Sequence, residues 1–411
     1  MSGLAASQRV AEAAPGNDCK RRVLIIHPEG NFSNNPSLLG LIELLLEHEV
    51  AIDLRYRKSK AAPISKAQVR NLPSGFFWAE LRKFLVDRLP LPALSRGLAF
   101  LERWFCLRRY DAVIGVDRQG LVEACELSRA TGIPLIFLSF EILFSEETST
   151  RFKAIEKKAA PFVVLWITQD PLRASHLRQQ NALSESTQFL LPLASTGLGQ
   201  QGVERMRDDL GIPAQARVAI VIGSIAGWSM TSEILASVPE WPQDWVLLVH
   251  ERYGRTAEQL RSLDHRLQAL VGQRIFFSSA ASASVDDMAY VFSGVDLGLA
   301  FYRPDYATPF TGRNLLYLGL ASGKISTYLR YGLPILINEI GLLSREALRA
   351  GFGYVVASPA ELGALLPHID TEKSADCAQR YFSEHLDFMN FKNELWLRLE
   401  PLLERSARSV Q

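Results

Sequence analysis

Short apolar runs recur along the chain and alternate with longer segments in which apolar residues fall at helical spacing. Most positions in each run are apolar without a polar alternation, a pattern typical of parallel strands that are buried on both faces. They lie at residues 23–26, 50–54, 110–116, 133–138 and 162–167 in the first half, and at 218–222, 245–249, 274–277, 295–301 and 333–337 in the second. This repeated succession of strand, helix and strand predicts an α/β protein with two Rossmann-like, doubly wound domains.

The two sets of runs are separated by a stretch rich in glycine and small polar residues, 190–202. A length of 411 residues also exceeds that of a typical single core. We therefore predict a first domain at 21–195, a linker at 196–204, a second domain at 205–375 and C-terminal helices at 376–411. Residues 1–20 lack the basic start and apolar core of a secretory signal, and we expect them to be a disordered tail.

Composition excludes several classes of protein. The apolar share of 48% and the charged share of 22% are ordinary for a globular chain, and a net charge of +1 gives no electrostatic basis for nucleic-acid binding. The four cysteines are scattered without a Cys-x-x-Cys pair and the seven histidines form no His-x-x-x-His pair, so no metal site is predicted. No apolar run is long enough to span a bilayer. Unpaired thiols favour a cytoplasmic protein.

One segment, residues 322–337, combines a helix start, a cation and a following strand. Ser322 can cap the helix, Lys324 falls in its first turn, and Gly332 can end it before the apolar strand begins. Free N–H groups, the helix dipole and a lysine together form an anion site, most simply for phosphate. The alternative is an ordinary helix-to-strand unit whose lysine is solvated.

This segment resembles a known family. The pattern Ser-x-Lys-x-x-x-Tyr-Leu-x-x-Gly-x-Pro-Ile at 322–335, followed by Ser-Arg-Glu-Ala at 344–347 and Gly-Phe-Gly at 351–353, resembles the donor half of GT-B glycosyltransferases and is most similar to the family 4 type. The resemblance implies that the second domain binds a nucleoside-diphosphate sugar, with UDP or GDP as the nucleotide and no permanently bound cofactor. It implies that the first domain binds the acceptor, which is a glycan, a lipid-linked molecule or a protein. It also implies that the helices at 376–411 pack back on the first domain.

The same resemblance places the donor residues at two strand ends and one helix start. The first loop of the second domain approaches the diphosphate in the family, and glycine suits that loop because a Cβ would obstruct the approach. The end of the strand at 274–277 meets the nucleobase. The implied donor-binding residues are Gly223, Ser224, Phe277, Ser278, Ser322, Gly323, Lys324, Ser326 and Thr327.

On the acceptor side, the resemblance points to strand ends that face the cleft. Asp117 and Glu141 follow two apolar runs and are the candidate catalytic residues, with Glu141 as the base if one is needed. Carboxylates in this position can instead cap the next helix. Gly30, Asn31 and Asn34, in the loop after the first strand, are candidates for sugar contacts, although asparagines there also suit tight turns.

The chain departs from the family in its acids. Family 4 members carry two glutamates eight positions apart, and the corresponding positions here are Gly319 and Thr327. No Asp-x-Asp pair occurs either, which favours a metal-independent transfer in which Lys324, with Arg303 or Arg313, takes the charge of the leaving diphosphate. We expect a divergent hexosyltransferase that retains the anomeric configuration. The alternatives are a non-catalytic GT-B subunit that assists an active partner, or a sugar-nucleotide epimerase.

Residues 76–109 mix aromatic and basic side chains, and Leu-Pro-Leu-Pro at 89–92 divides them into two helices. Basic, aromatic helices can lie in a membrane interface, which would place the protein peripherally on the inner face of the membrane. The alternative is a pair of core-packed helices with solvated arginines.

Overall fold

A computed structural model describes residues 21–30, 32, 35–57, 63–74, 110–200, 202, 205–223, 226–251, 265–278 and 287–408. The first sheet is formed by β1 (Arg21–Ile26), β2 (Val50–Arg57), β3 (Val69–Ser74), β4 (Ala112–Val116), β5 (Leu135–Leu138), β6 (Val163–Thr168) and β7 (Gln188–Leu190). The second is formed by β8 (Arg217–Gly223), β9 (Trp245–Glu251), β10 (Ile275–Ser278), β11 (Leu297–Ala300), β12 (Ile335–Asn338) and β13 (Gly353–Val356).

Helices connect these strands and cover the sheets. In the first half they are α1 (Pro36–Glu47), α2 (Asp117–Thr131), α3 (Thr150–Ala159) and α4 (Pro171–Asn181). In the second half they are α5 (Arg205–Leu210), α6 (Thr231–Ser237), α7 (His265–Gln268), α8 (Arg313–Leu316), α9 (Gly323–Arg330), α10 (Leu343–Ala350), α11 (Leu362–Leu365), α12 (Thr371–Tyr381) and α13 (Met389–Arg408).

Both sheets are doubly wound. The strand order is β3-β2-β1-β4-β5-β6-β7 in the first and β10-β9-β8-β11-β12-β13 in the second, and the pairs described in both are parallel. The order therefore reverses between β1 and β4, and again between β8 and β11. Ligands of such sheets bind beyond the carboxyl ends of the strands at the point of reversal. The predicted class, two Rossmann-like α/β domains, is confirmed.

A tyrosine hydroxyl lies inside the reversal point of the second sheet. β8 and β11 pair at Ala219 with Leu297 and at Ile220 with Gly298. Just beyond, the buried Tyr328 hydroxyl of α9 accepts from the Ile222 N–H at 3.1 Å and lies 3.1 Å from the Ile220 carbonyl oxygen, to which it can donate. A Cβ on Gly298 would lie 2.6 Å from the Tyr328 ring, so glycine is required for this approach. These contacts fix α9 over the gap between the two strands.

The chain crosses back to the first domain after residue 386. Helix α12 contributes Ala378 and Tyr381 to the core of the second domain, so the predicted boundary at 376 lies within a helix that packs there. The Phe388 N–H then donates to the Ser195 carbonyl at 3.2 Å. Further along α13, the Trp396 ring stacks on His48 with the two centroids 3.6 Å apart. The predicted return of the C-terminal helix to the first domain is confirmed.

Two predicted regions lie outside the described residues: the tail at 1–20 and the aromatic, basic segment at 76–109. Within the residues that are described, no helix combines the length and apolar character needed to cross a membrane.

Replacing Tyr328 with phenylalanine tests the contact inside the second sheet. The change leaves the buried Ile222 N–H without its acceptor, so we expect the free energy of unfolding to fall by about 1–3 kcal/mol in urea titrations. Tyr354→Phe is the matched control, because the Tyr354 hydroxyl accepts from the Asp370 N–H at 3.0 Å at a partly exposed site. An equal loss in both variants would contradict the specific role of Tyr328.

Candidate active site

Close glycine contacts bring the start of α2 to the reversal point of the first sheet. A Cβ on Gly115 would lie 2.6 Å from the Gly120 carbonyl oxygen, and a Cβ on Gly120 would lie 2.4 Å from the Ile26 carbonyl oxygen. The two glycines therefore allow α2 to press against β1 and β4. Asp117, the first residue of α2, has a φ of +52°, an uncommon value for a non-glycine residue that is often found at functional sites.

The Asp117 carboxylate holds the loop after β5. Its Oδ1 accepts from the backbone N–H of Phe140 at 2.7 Å and of Glu141 at 2.9 Å. No side chain caps the start of α2. Asp117 thus bonds a neighbouring strand's loop rather than its own helix, and it brings the two sequence-predicted acids, Asp117 and Glu141, together.

Both acids are shifted toward the protonated form. Burial raises the pKa of Asp117 to about 8, and the negative charges of Glu141 and Glu29 add to the effect. The Glu141 side chain is accessible to solvent, yet the surrounding protein still raises its pKa to about 7 by desolvation, an effect that Arg173 opposes and Glu29 reinforces. A carboxyl group with this pKa can exchange a proton with a substrate near neutral pH.

A buried histidine at the end of β1 faces the same edge of the sheet. His27 Nδ1 accepts from the Gly30 N–H at 3.3 Å, and its Nε2 lies 3.2 Å from the Asn35 amide nitrogen. Burial lowers the pKa of His27 to about 4, so the ring is neutral at physiological pH. Gly30 has a φ of +69° and forms the tight turn. The other two sugar-contact candidates, Asn31 and Asn34, lie outside the described residues.

Sequence reasoning did not select His27, although its place directly after the first apolar run was a usable signal, because polar residues at that position face the ligand edge.

On the donor side, the helix cap predicted at Ser322 is present. Ser322 Oγ accepts from the Ile325 N–H at 3.2 Å, and it lies 2.7 Å from the hydroxyl oxygen of Tyr302. Burial raises the pKa of Tyr302, so its hydroxyl stays protonated. The half-buried Lys324 extends over Tyr302, with its ammonium nitrogen 5.4 Å from the ring centroid.

Lys324 also reaches the first loop of the second domain. A Cβ on Gly223, whose φ is +95°, would lie 3.8 Å from Lys324 Cε. The lysine therefore lies over the reversal point between β8 and β11, and the structure brings Gly223, Ser322, Gly323 and Lys324 together. Ser224 falls outside the described residues.

The remaining donor candidates are placed differently. Ser326 and Thr327 are buried on the inner side of α9, and Thr327 Oγ1 donates to the Gly323 carbonyl at 2.8 Å. Phe277 is half-buried at the end of β10, and Ser278 Oγ lies 3.3 Å from Nδ1 of the buried His250. Both lie at the carboxyl edge of the sheet, but β9 separates them from β8.

The two arginines that could assist Lys324 have protein partners. An Arg303 nitrogen lies 2.6 Å from Glu233 Oε1, and Arg313 lies 3.5 Å from Glu146 Oε1. Both arginines are thus engaged with carboxylates, Arg303 within the second domain and Arg313 across to the first. Among the residues that the structure describes, no group of three or more His, Cys, Asp or Glu side chains is arranged to hold a metal ion.

Gly319, where the family 4 resemblance leads us to expect a glutamate, lies against a carboxylate of the other domain. Gly319 has a φ of +48°, and a Cβ there would lie 2.0 Å from Asp170 Oδ2. The same oxygen accepts from the Leu320 N–H at 2.9 Å, and Asp170 Oδ1 caps α4 through the Arg173 N–H at 2.9 Å. No side chain larger than that of glycine fits at 319 while this contact between the domains is present.

No protein family model matches the chain, and no curated protein matches it in sequence. Solved structures do match in shape. HepE from Anabaena in complex with UDP has a TM-score of 0.67 and 15% identity, over 93% of this chain and 100% of that one. A glycosyltransferase from Rickettsia africae has a TM-score of 0.66 and 10% identity, over 93% and 99% of the two chains.

WaaG, a glycosyltransferase involved in lipopolysaccharide biosynthesis, matches with a TM-score of 0.62 and 13% identity, over 91% of this chain and 98% of that one. The agreement in shape shows that the fold is shared, and at identities this low it shows the fold alone. The chain therefore has the GT-B architecture of these glycosyltransferases.

The raised pKa of Glu141 predicts a distinct pH dependence of stability. An unfolded glutamate releases its proton near pH 4.3, whereas the folded one keeps it until about pH 7, so this residue makes the protein less stable as pH rises between these values. Glu141→Gln removes the effect. We therefore expect the free energy of unfolding of the variant, relative to the native chain, to increase from pH 5 to pH 7 and then level off.

Urea titrations at several pH values measure this difference. Glu43→Gln, at an exposed position paired with Lys66 outside the cleft, is the control. If the difference in unfolding free energy between Glu141→Gln and the native chain did not change with pH, the Glu141 carboxyl would not be desolvated in the folded protein.

Proposed function

We propose that this protein is a glycosyltransferase that moves a hexose from a nucleoside-diphosphate sugar to an acceptor held by the first domain. The observation that carries the proposal is the direction of Lys324, whose side chain extends over the reversal point of the second sheet toward Gly223. A phosphate site built from a helix N-terminus, a close-approach glycine and a lysine suits a diphosphate. HepE, which shares the fold, was solved with UDP and with UDP-glucose.

The donor side would act on the leaving group. As the bond between the anomeric carbon and the diphosphate oxygen breaks, its electron pair stays on the oxygen, and Lys324 with the N-terminus of α9 stabilises the added charge. We propose Ser224, Phe277 and Ser278 as further donor contacts, with Ser326 or Thr327 near the ribose. The charge is then carried without a metal ion.

The acceptor side would orient the attacking hydroxyl. We propose that Glu141, held by Asp117, bonds the acceptor, with Gly30, Asn31 and Asn34 on the sugar. With retention of configuration, the hydroxyl approaches from the face that the diphosphate leaves, and a diphosphate oxygen takes its proton. With inversion, Glu141 would take that proton instead, and its pKa of about 7 suits this role.

We extend this proposal to the class of acceptor and to the compartment in which the reaction takes place. The acceptor is a glycan, a lipid-linked molecule or a protein, and the site is cytoplasmic. A lipid-linked acceptor would give residues 76–109 a role at the inner face of the membrane.

The contact at Gly319 favours a second candidate, a non-catalytic GT-B subunit that assists an active partner. A glycine in contact with Asp170 leaves no room for a carboxylate at the position where family 4 members carry one. A subunit of this kind would bind a partner glycosyltransferase and would not hydrolyse any sugar nucleotide by itself.

Calorimetric titration with UDP and GDP tests the donor site. We expect one nucleotide to bind the native chain, and Lys324→Ala to weaken its affinity roughly ten- to a hundredfold, because a charge-assisted contact is lost. Lys324→Arg keeps the positive charge and should lose less. Lys66→Ala, at an exposed lysine of the first domain, is the control.

Absence of binding by either nucleotide, or equal binding by the Lys324→Ala variant, would contradict the donor site. If a nucleotide does bind, thermal stabilisation of the chain by a panel of sugar derivatives of that nucleotide would identify the sugar. Release of UDP or GDP from that sugar nucleotide by the isolated chain would separate the enzyme from the non-catalytic subunit.

A further inference from the structure

An asparagine of the second domain forms a backbone-like pair with the loop that carries Glu141. The Ile142 N–H donates to Asn314 Oδ1 at 2.8 Å, and Asn314 Nδ2 donates to the Ile142 carbonyl at 2.7 Å. Asn314 is only 3% exposed. The amide thus satisfies both backbone groups of Ile142 in the way that a neighbouring strand would.

The same loop is held from the first domain by three other side chains. Asp117 accepts from the N–H groups of Phe140 and Glu141. Gln169 Nε2 donates to the Ser139 carbonyl at 2.7 Å. Arg173 donates to the Phe140 carbonyl. Within the described part of the chain, side chains from outside this loop that bond its backbone are those of Asp117, Gln169 and Arg173 in the first domain and Asn314 in the second.

Arg173 joins these contacts into one network. The buried guanidinium donates to Gln169 Oε1 at 2.9 Å and to Asn314 Oδ1 at 3.1 Å. A buried arginine must keep its partners, because an uncompensated charge in the interior is strongly unfavourable. A shift of Asn314 would therefore disturb Arg173 and, through it, the Phe140 carbonyl.

Asn314 is itself placed by the donor side of the cleft. It lies in α8, one short turn that follows the loop leaving β11 at Tyr302, the residue beneath Lys324. The N–H of the preceding residue, Arg313, donates to Glu147 of the first domain. The segment that begins at Tyr302 beneath Lys324 therefore leads directly to Asn314, which bonds the loop that carries Glu141.

We infer that Asn314 is a positioning residue, which places Glu141 for the reaction only while the two domains are in contact. This inference rests on the proposed function for the role of Glu141, whereas the dependence of the loop on Asn314 does not. On this inference, a residue of the second domain helps to form the acceptor site of the first domain. A small displacement of a reacting group is enough to slow a reaction by a large factor.

Asn314→Leu tests the inference, because leucine has a similar volume and makes neither hydrogen bond. Hydrogen–deuterium exchange of the full chain should show at least tenfold faster exchange for residues 139–142. The affinity for UDP should stay within about twofold. In hydrolysis of UDP-glucose, kcat should fall roughly ten- to a hundredfold with little change in KM, as expected for lost positioning.

Asn71→Leu is the matched control. Asn71 accepts from the Ile64 N–H at 3.2 Å and donates to the Ile64 carbonyl at 2.9 Å, which is the same pair at an edge strand of the first domain. It should leave exchange at 139–142 and the hydrolysis rate unchanged. In addition, the double variant of Asn314→Leu and Glu141→Gln should be no slower than Glu141→Gln alone, because both changes act on one group.

Unchanged exchange at 139–142 in Asn314→Leu, or additive losses in the double variant, would overturn the inference. If the leucine variant does not fold, Asn314→Asp replaces it, since it keeps the Oδ1 acceptor and loses one donor, and it should give an intermediate increase in exchange. If the native chain binds GDP instead of UDP, the affinity and hydrolysis measurements use GDP and GDP-glucose. If it binds neither nucleotide, the proposed function fails, and the exchange experiment still decides whether Asn314 holds the loop.

Discussion

The second domain depends on one buried hydroxyl. Where β8 and β11 separate at the reversal point, their backbone groups would be left without partners inside the core, and the Tyr328 hydroxyl satisfies them. That contact fixes the rotation and depth of α9. The cap at Ser322 and the direction of Lys324 follow from it, because both lie one or two turns from Tyr328 on the same helix. The position of a surface cation is thus set by a hydrogen bond in the interior.

The first domain relies on a different physical effect. Here close packing by Gly115 and Gly120 presses a helix start against the sheet, and Asp117 is left in a strained, poorly solvated position beside a second acid. The resulting shifts in pKa have burial as their largest cause. The two halves therefore share an architecture but differ in chemistry. The second domain presents a lysine over the reversal point, and the first holds two acids whose pKa values lie at or slightly above neutral pH.

The fold was largely accessible from the sequence, because runs such as 23–26 and 218–222 are apolar throughout, short and rich in β-branched residues, as is typical of buried parallel strands. The cap at Ser322 was equally accessible, since capping depends on local spacing. The partners of Asp117, Arg173 and Asn314 were not. Their contacts join residues far apart in the chain, and single-residue chemistry does not specify which backbone group a carboxylate or an amide will meet. The contact of Gly319 with Asp170 was likewise not predictable, because the two residues lie in different domains and are far apart in the chain.

The contact between Gly319 and Asp170 has a consequence for how this sequence can change over time. A side chain at 319 and a carboxylate at 170 exclude each other, since even a Cβ would overlap the Asp170 oxygen. Asp170 in turn caps α4 and bonds the Leu320 N–H. An acid at 319 would therefore require the Asp170 side chain either to turn away, with loss of its bonds to the Leu320 and Arg173 N–H groups, or to be replaced. The side chains at the two positions are thus energetically coupled.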